Sequence, residues 1–241
     1  MGLLTFGLNV TLDGCIDHTQ GIVDDELHDY WTQLMDQSGA MLFGRNTYEL
    51  MEGAWPAVAR DEKAPPAMRE WAQKLEAKAK YVVSGSRSDF PWQNTIKVEG
   101  DLREAISALK AKTERGVLVG APRLAAALEE LALIDEYRIV VHPIISGRGP
   151  TLFHGLSSAR HLELLSAQRF KSGVQALHFR RKAGCAWKDP AAACAAASAS
   201  SRRDGRTASA CATASTGNHR TATTLRALPA HRTALPPKGS R

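Results

Sequence analysis

Cysteine is scarce in this 241-residue chain and poorly spaced for chemistry. Cys15 stands alone among residues 1–182. Cys185, Cys194 and Cys211 follow far apart with no Cys-x-x-Cys pair, which argues against a zinc ribbon or a disulfide framework, and no metal is expected. No apolar run approaches the roughly 20 residues of a membrane span. The N-terminus also lacks the basic-then-apolar pattern of a secretory leader, so a cytoplasmic protein without a membrane partner is expected. Large apolar side chains run out after Lys182: beyond it only Trp187, Leu225, Leu228 and Leu235 interrupt a stretch rich in Ala, Ser, Thr and Arg.

That change in composition divides the chain into a globular domain, 1–182, and a low-complexity basic tail, 183–241. The formal charge of +6 belongs to the tail, which holds nine Lys/Arg against two Asp/Glu and leaves 22 basic against 23 acidic residues in the domain. A nearly neutral domain gives no electrostatic footprint for nucleic acid, which is not expected as its partner. The tail cannot bury enough apolar area to offset chain ordering at about 1–2 kcal/mol per residue, and is expected to be disordered and dispensable. Its abrupt start resembles an altered reading frame. Nonspecific, salt-dependent polyanion binding through this tail is one alternative function.

Within the domain, apolar runs punctuated by glycine read as eight strands: Leu3–Leu12, a run ending at Gly44, Tyr81–Ser84, Thr95–Val98, Val117–Val119, Tyr137–Val141, Leu162–Phe170 and Val174–Arg181. Helical periodicity predicts helices over Asp24–Ser38, a short one over about 47–53, one from Pro65-Pro66 to about Lys78, then Leu102–Lys112 and Pro122–Leu131, with a loop beginning at Trp55-Pro56. Strands alternating with helices imply an α/β fold. Its sheet is mainly parallel, eight-stranded, covered by helices on both faces and closed by an antiparallel hairpin.

In such sheets ligands bind beyond the carboxyl ends of the strands, here the stretches 11–14, 44–47, 84–87 and 120–124. At Met41-Leu42-Phe43-Gly44-Arg45-Asn46-Thr47 a strand feeds a helix through a glycine. This brings backbone N–H groups and the positive helix end to one point, where Arg45 adds a cation and Thr47 a hydroxyl, a combination suited to a phosphate.

Thr11-Leu12-Asp13-Gly14, Phe43 to Glu49, Val83-Ser84-Gly85-Ser86, Val119-Gly120 and the stretch from Leu133-Ile134-Asp135-Glu136 to Gly147-Arg148-Gly149-Pro150-Thr151-Leu152-Phe153 together resemble the dihydrofolate reductase-like family. The nearest branch contains the C-terminal reductase domain of bifunctional riboflavin-biosynthesis (RibD-type) proteins and their stand-alone bacterial relatives. The resemblance covers residues 3–182 and implies a three-layer, NADPH-dependent reductase, often a homodimer, acting on a pterin-like or (ribosylamino)pyrimidine-like small molecule. It implies that Gly44, Arg45 and Thr47 hold the cofactor phosphates and that Ser84, Ser86 and Arg87 lie along the adenosine half. Gly120, Ala121, Arg123 and Leu124 would meet the pyrophosphate, and Thr11 to Gly14 would form the loop beside the nicotinamide. The family usually has two adjacent glycines where this chain has Gly120-Ala121, a departure that leaves a nucleotide-binding module without catalysis as a second alternative.

For catalysis the family uses a carboxylate from the first helix. The candidates are Asp25, Glu26 and Asp29, of which Asp29 adjoins Tyr30 and Trp31 in sequence and is expected to anchor a flat ring. Asp13 is the second catalytic candidate, for substrate contact or proton handling. His18 and His28 could titrate near neutral pH, and Arg148 is a candidate for a substrate phosphate.

Overall fold

The computed structural model describes residues 2–182, so the expectations for the tail 183–241 lie outside the described residues. The elements are β1 (Leu4–Thr11), α1 (Asp25–Gln37), β2 (Ala40–Gly44), α2 (Arg45–Arg60), α3 (Pro66–Ala77), β3 (Ala79–Val83), β4 (Thr95–Val98), α4 (Leu102–Lys112), β5 (Val117–Val119), α5 (Pro122–Glu130), β6 (Glu136–His142), β7 (Leu162–Arg169) and β8 (Gln175–Arg181). They form one eight-stranded sheet in the order β4-β3-β2-β5-β1-β6-β8-β7. The six strands from β4 to β6 are parallel, and β8 and β7 close the sheet antiparallel, as the residue pattern implied. No helix of the described residues is long and apolar enough to cross a membrane.

Period-two alternation sends neighbouring side chains to opposite faces of the sheet. Ala40, Leu42, Val117 and Val119 pack under α4 and α5, against Ile106, Leu109, Leu124 and Leu128. Met41, Phe43 and Leu118 face the other way, into a cluster with Leu34 and Met35 of α1, Tyr48 of α2, Leu75 of α3 and Trp92. A third cluster joins Leu27 of α1 to Val140, Phe170, Val174 and Ala176 at the closing hairpin.

Helix α2 corrects the short helix expected at 47–53: it runs 16 residues and passes through Pro56 without stopping. An interior proline removes one backbone hydrogen bond and usually breaks a helix, at a cost of about 3 kcal/mol or more. Here Tyr48, Met51 and Trp55 recur at three- and four-residue spacing and pack into the second cluster, with Trp55 and Trp71 ring centroids 6.0 Å apart. That tertiary packing holds the last turn.

The helix openings differ in a way that prepares the site. At α1 the Asp24 carboxylate accepts the Leu27 N–H (2.8 Å), and at α4 Asp101 accepts the Glu104 N–H (3.1 Å). Helices α2 and α5 begin instead at Gly44 and Ala121, with no side-chain cap. Their first-turn N–H groups keep unfilled donor capacity.

Candidate functional site

Strands β2 and β5 are parallel neighbours, with Ala40 opposite Val117 and Leu42 opposite Val119, so their carboxyl ends deliver α2 and α5 side by side. A Cβ built on Gly44 would lie 3.6 Å from that of Leu124 and 3.7 Å from that of Ala121. Two uncapped, positively polarised helix ends thus adjoin at one edge of the sheet, an arrangement suited to a diphosphate. Ala121 is only 2 % exposed and packs in the first cluster, so its methyl group is spent inside the core. Gly120 leaves room, the nearest atom to a Cβ there being the Gly7 carbonyl oxygen at 3.8 Å.

The other expected cofactor residues gather on the flank of α2. Arg45 pairs with Glu49 one turn on (3.2 Å), and Thr47 is the third residue of the helix. The Ser84 hydroxyl oxygen accepts the N–H groups of Ser86 (3.3 Å) and Arg87 (2.9 Å), fixing a turn that aims Arg87 back at α2. There Arg87 pairs with Glu52 (2.8 Å) and lies 3.8 Å from Glu49, its guanidinium 5.1 Å from the Tyr48 ring centroid. Arg45 and Arg87 therefore share Glu49, and Arg87 alone also holds Glu52. Arg45 is the more exposed cation of the two.

At the end of β1, Thr11 is buried, its hydroxyl donating to the Asp13 carboxylate and accepting the Cys15 N–H (3.0 Å). Asp13 also accepts the N–H groups of Gly147 (2.7 Å) and Ser146 (3.1 Å). The Thr11 bond, followed by these two, lowers its pKa to about 2. Asp13 is thus a latch between the 11–15 loop and the loop after β6. The latch is reinforced by Leu12 N–H to Ile144 O (2.8 Å), Ile16 N–H to Pro150 O (2.9 Å) and Leu152 N–H to Gly14 O (3.1 Å). Gly14 carries φ +79°, a left-handed turn that favours glycine. A carboxyl that ionises near pH 2 has no proton to give at neutral pH, so the geometry favours the latch over proton donation.

The first-helix carboxylates face solvent or neighbouring elements. Successive helical residues turn by about 100°, so Asp29 falls opposite the stripe of Leu27, Trp31 and Leu34 and is exposed. Asp25 is exposed as well, and Glu26 accepts the Lys171 N–H (2.6 Å), tying α1 to the turn of the closing hairpin. Tyr30 and Trp31 are packing groups, not an open stacking platform. Tyr30 meets Phe170 at 5.8 Å between centroids, and the Trp31 ring lies where a Cβ on Gly7 would come within 2.8 Å. His28 Nε2 lies 3.1 Å from the Ala67 carbonyl oxygen, joining α1 to α3, while His18 sits exposed beside Asp17. Arg148 is exposed on the loop after β6.

Two residues missed in the sequence line a cavity of about 40 Å³ between the ends of β1 and β6: His142 and Asn9. His142 is the register partner of Thr11 and only 1 % exposed. Its Nδ1 accepts the Ile22 N–H (3.0 Å), which puts the ring hydrogen on Nε2, and that atom is buried without a partner among the described residues. Burial lowers the His142 pKa, opposed by the Asp24 carboxylate. A histidine closing a strand at the ligand edge of a parallel sheet is a cue the sequence offered.

Residues 3–176 match the RibD C-terminal domain family model. The chain belongs to the RibD C-terminal domain family. It is 29 % identical over 171 residues to the uncharacterized protein YyaP of Bacillus subtilis (strain 168), covering 69 % of this chain and 88 % of that protein. Among solved structures it is similar to a Shewanella sp. PV-4 protein provisionally assigned to riboflavin biosynthesis. There the TM-score is 0.58 and the identity 20 %, with coverage of 75 % of this chain and 99 % of the other. The bifunctional diaminohydroxyphosphoribosylaminopyrimidine deaminase/5-amino-6-(5-phosphoribosylamino)uracil reductase of Thermotoga maritima aligns with a TM-score of 0.53 at 18 % identity, over 75 % of this chain and 57 % of its own length. These likenesses establish the RibD reductase-domain fold, and family membership supports a reductase-like role.

Proposed function

We propose that the chain is an NADPH-dependent reductase of a flat nitrogen heterocycle or its ring-opened sugar conjugate. The carrying observation is the pair of uncapped helix openings, α2 at Gly44 and α5 at Ala121, adjoining at the carboxyl ends of neighbouring strands. When bound, NADPH supplies the hydride. The N–H groups opening α2 and α5 receive its phosphates, with the Thr47 hydroxyl beside them. Arg45 exchanges Glu49 for the 2′-phosphate, and the Ser84–Arg87 turn flanks the adenosine. The latched 11–15 loop shelters the nicotinamide end from water.

The candidate substrates include the one named for the Thermotoga protein, 5-amino-6-(5-phosphoribosylamino)uracil, which makes riboflavin synthesis the natural setting and the cytoplasm the natural place. A homodimer belongs to the same reading. Edge strand β7 is exposed along its whole length and carries Leu162, Leu164 and Leu165, and sedimentation at twice the chain mass checks it. The test of function is loss of reduced-nicotinamide absorbance with a panel of that pyrimidine, dihydrofolate and simple carbonyl compounds. Turnover of the pyrimidine or dihydrofolate is expected. NADPH binding with no turnover across the panel would favour a nucleotide-binding module instead.

A further inference from the structure

The cavity between β1 and β6 carries hydrogen-bond directions that its surroundings determine. The Trp31 indole can only donate, so the Asn9 oxygen that it reaches (3.1 Å) must be the acceptor. The Asn9 NH2 is then the end left over, with no partner among the described residues. The Ile22 N–H can likewise only donate, which makes His142 Nδ1 the acceptor and Nε2–H a buried, unpaired donor. Thr11, between them on the same face, has its hydroxyl committed to Asp13 and Cys15. Asp17 also lines the cavity; its Oδ1 accepts both the N–H (3.0 Å) and the hydroxyl (2.8 Å) of Thr19, and its Oδ2 keeps acceptor capacity. Cys15 Sγ faces the Asp17 N–H at 3.5 Å.

An unsatisfied buried donor costs about 1–3 kcal/mol until something accepts from it. His142 is therefore matched by a ligand that brings an acceptor, and the partly buried Asn9, which lines the same cavity, offers its NH2 as a second donor. We infer that this cavity, too small at about 40 Å³ for a whole heterocycle, receives only the acceptor edge of the substrate, a ring carbonyl oxygen or an adjoining unprotonated ring nitrogen, with Asn9 NH2 and His142 Nε2–H as the two donors. This rests on the reductase reading for its occupant and adds which edge of the heterocycle is read. It also replaces the carboxylate anchor expected on α1, which would select a donor edge.

Titration calorimetry on the full chain, with and without saturating NADPH, tests it using lumazine, which presents ring carbonyls, and 2,4-diaminopteridine, which presents an amidine donor edge. Lumazine is expected to bind the more tightly. His142→Asn retains an acceptor for Ile22 but loses the Nε2–H, and should weaken lumazine by about tenfold or more. His142→Gln keeps a donor near Nε2 and should stay within about threefold of wild type. Asn9→Asp keeps the Trp31 contact, turns the donor into an acceptor and should shift preference toward the diamino compound. Any of three results overturns the inference: no lumazine binding at millimolar concentration, tighter binding of the diamino compound to wild type, or equal losses in the two His142 variants. Failure of the reductase reading shows separately, as absent NADPH binding.

Discussion

Arg45 and Asp29 carry opposite expectations from similar sequence settings. Arg45 begins α2 and, among the described residues, pairs with half-exposed Glu49, a contact that the 2′-phosphate of the proposed cofactor can displace. A charge-assisted bond of roughly 1.5–3 kcal/mol means that Arg45→Ala should weaken NADPH by about ten- to a hundredfold, less the strength of the surrendered Glu49 pair. NADH should be almost unaffected. Equal loss for both cofactors would move Arg45 to the pyrophosphate. Asp29→Asn should leave turnover within about twofold, because Asp29 stands on the solvent face of α1 and surface changes of this kind are small. A tenfold fall would restore the anchor on the helix. His142 gives a pH dependence. Burial holds its folded pKa below the ordinary histidine value, so in the interval beneath about 6.5 the unfolded chain binds the extra proton. Its contribution to stability is fully present above that interval and is lost as pH falls, when protonated Nδ1 can no longer accept the Ile22 N–H. Thermal melts between pH 7 and 5 should therefore fall more steeply for wild type than for His142→Asn. Parallel curves would contradict the assignment.

At the scale of elements, the junction of α3 with β3 depends on a lysine that no apolar pattern could reveal. Lys80 is fully buried, its ammonium donating to the carbonyl oxygens of Leu75 (3.0 Å), Glu76 (2.9 Å) and Lys78 (2.8 Å) and lying 4.6 Å from the Trp92 centroid. It fills the negative end of α3, and burial lowers its pKa to about 8 despite the opposing Glu76 charge. Between that value and about 10.4 the unfolded chain keeps a proton the folded chain has released, so stability should rise with pH there. Urea melts at pH 8 and 10 should show a gain of about 1–3 kcal/mol attributable to this group, absent in Lys80→Met. No difference between the two proteins would mean that the carbonyls hold the charge at its ordinary pKa. The strands themselves were legible because apolar runs stop at glycines, and even the closing hairpin could be read from Lys171-Ser172-Gly173. The length of α2 was not, since Pro56 signals a stop that packing overrides. The exposure of Asp29 beside the packed Tyr30 and Trp31 was not legible because sequence neighbours on a helix face different ways, and the Ile22–His142 contact joins residues 120 positions apart.

For the whole molecule, the sheet order brings β2 and β5 together although more than 70 residues separate them, and this sets α2 beside α5. The loop motifs at 44–47 and 120–124 were readable singly, whereas their adjacency is a property of the fold. The most direct measurement is NADPH affinity, by titration calorimetry, for wild type and Gly44→Asp. Gly44 has φ −85° and ψ 164°, and an added Cβ meets only ordinary contacts, so aspartate fits there as the cap that α2 lacks. The substitution should leave stability unchanged or raise it by a few tenths of a kcal/mol, roughly the advantage of Asp over Gly at such a position. The same carboxylate occupies the N–H groups meant for phosphate and repels the anion, so NADPH affinity should fall by about a hundredfold or more. A stably folded Gly44→Asp protein that binds NADPH as wild type does would contradict the placement of the cofactor at the α2–α5 cradle.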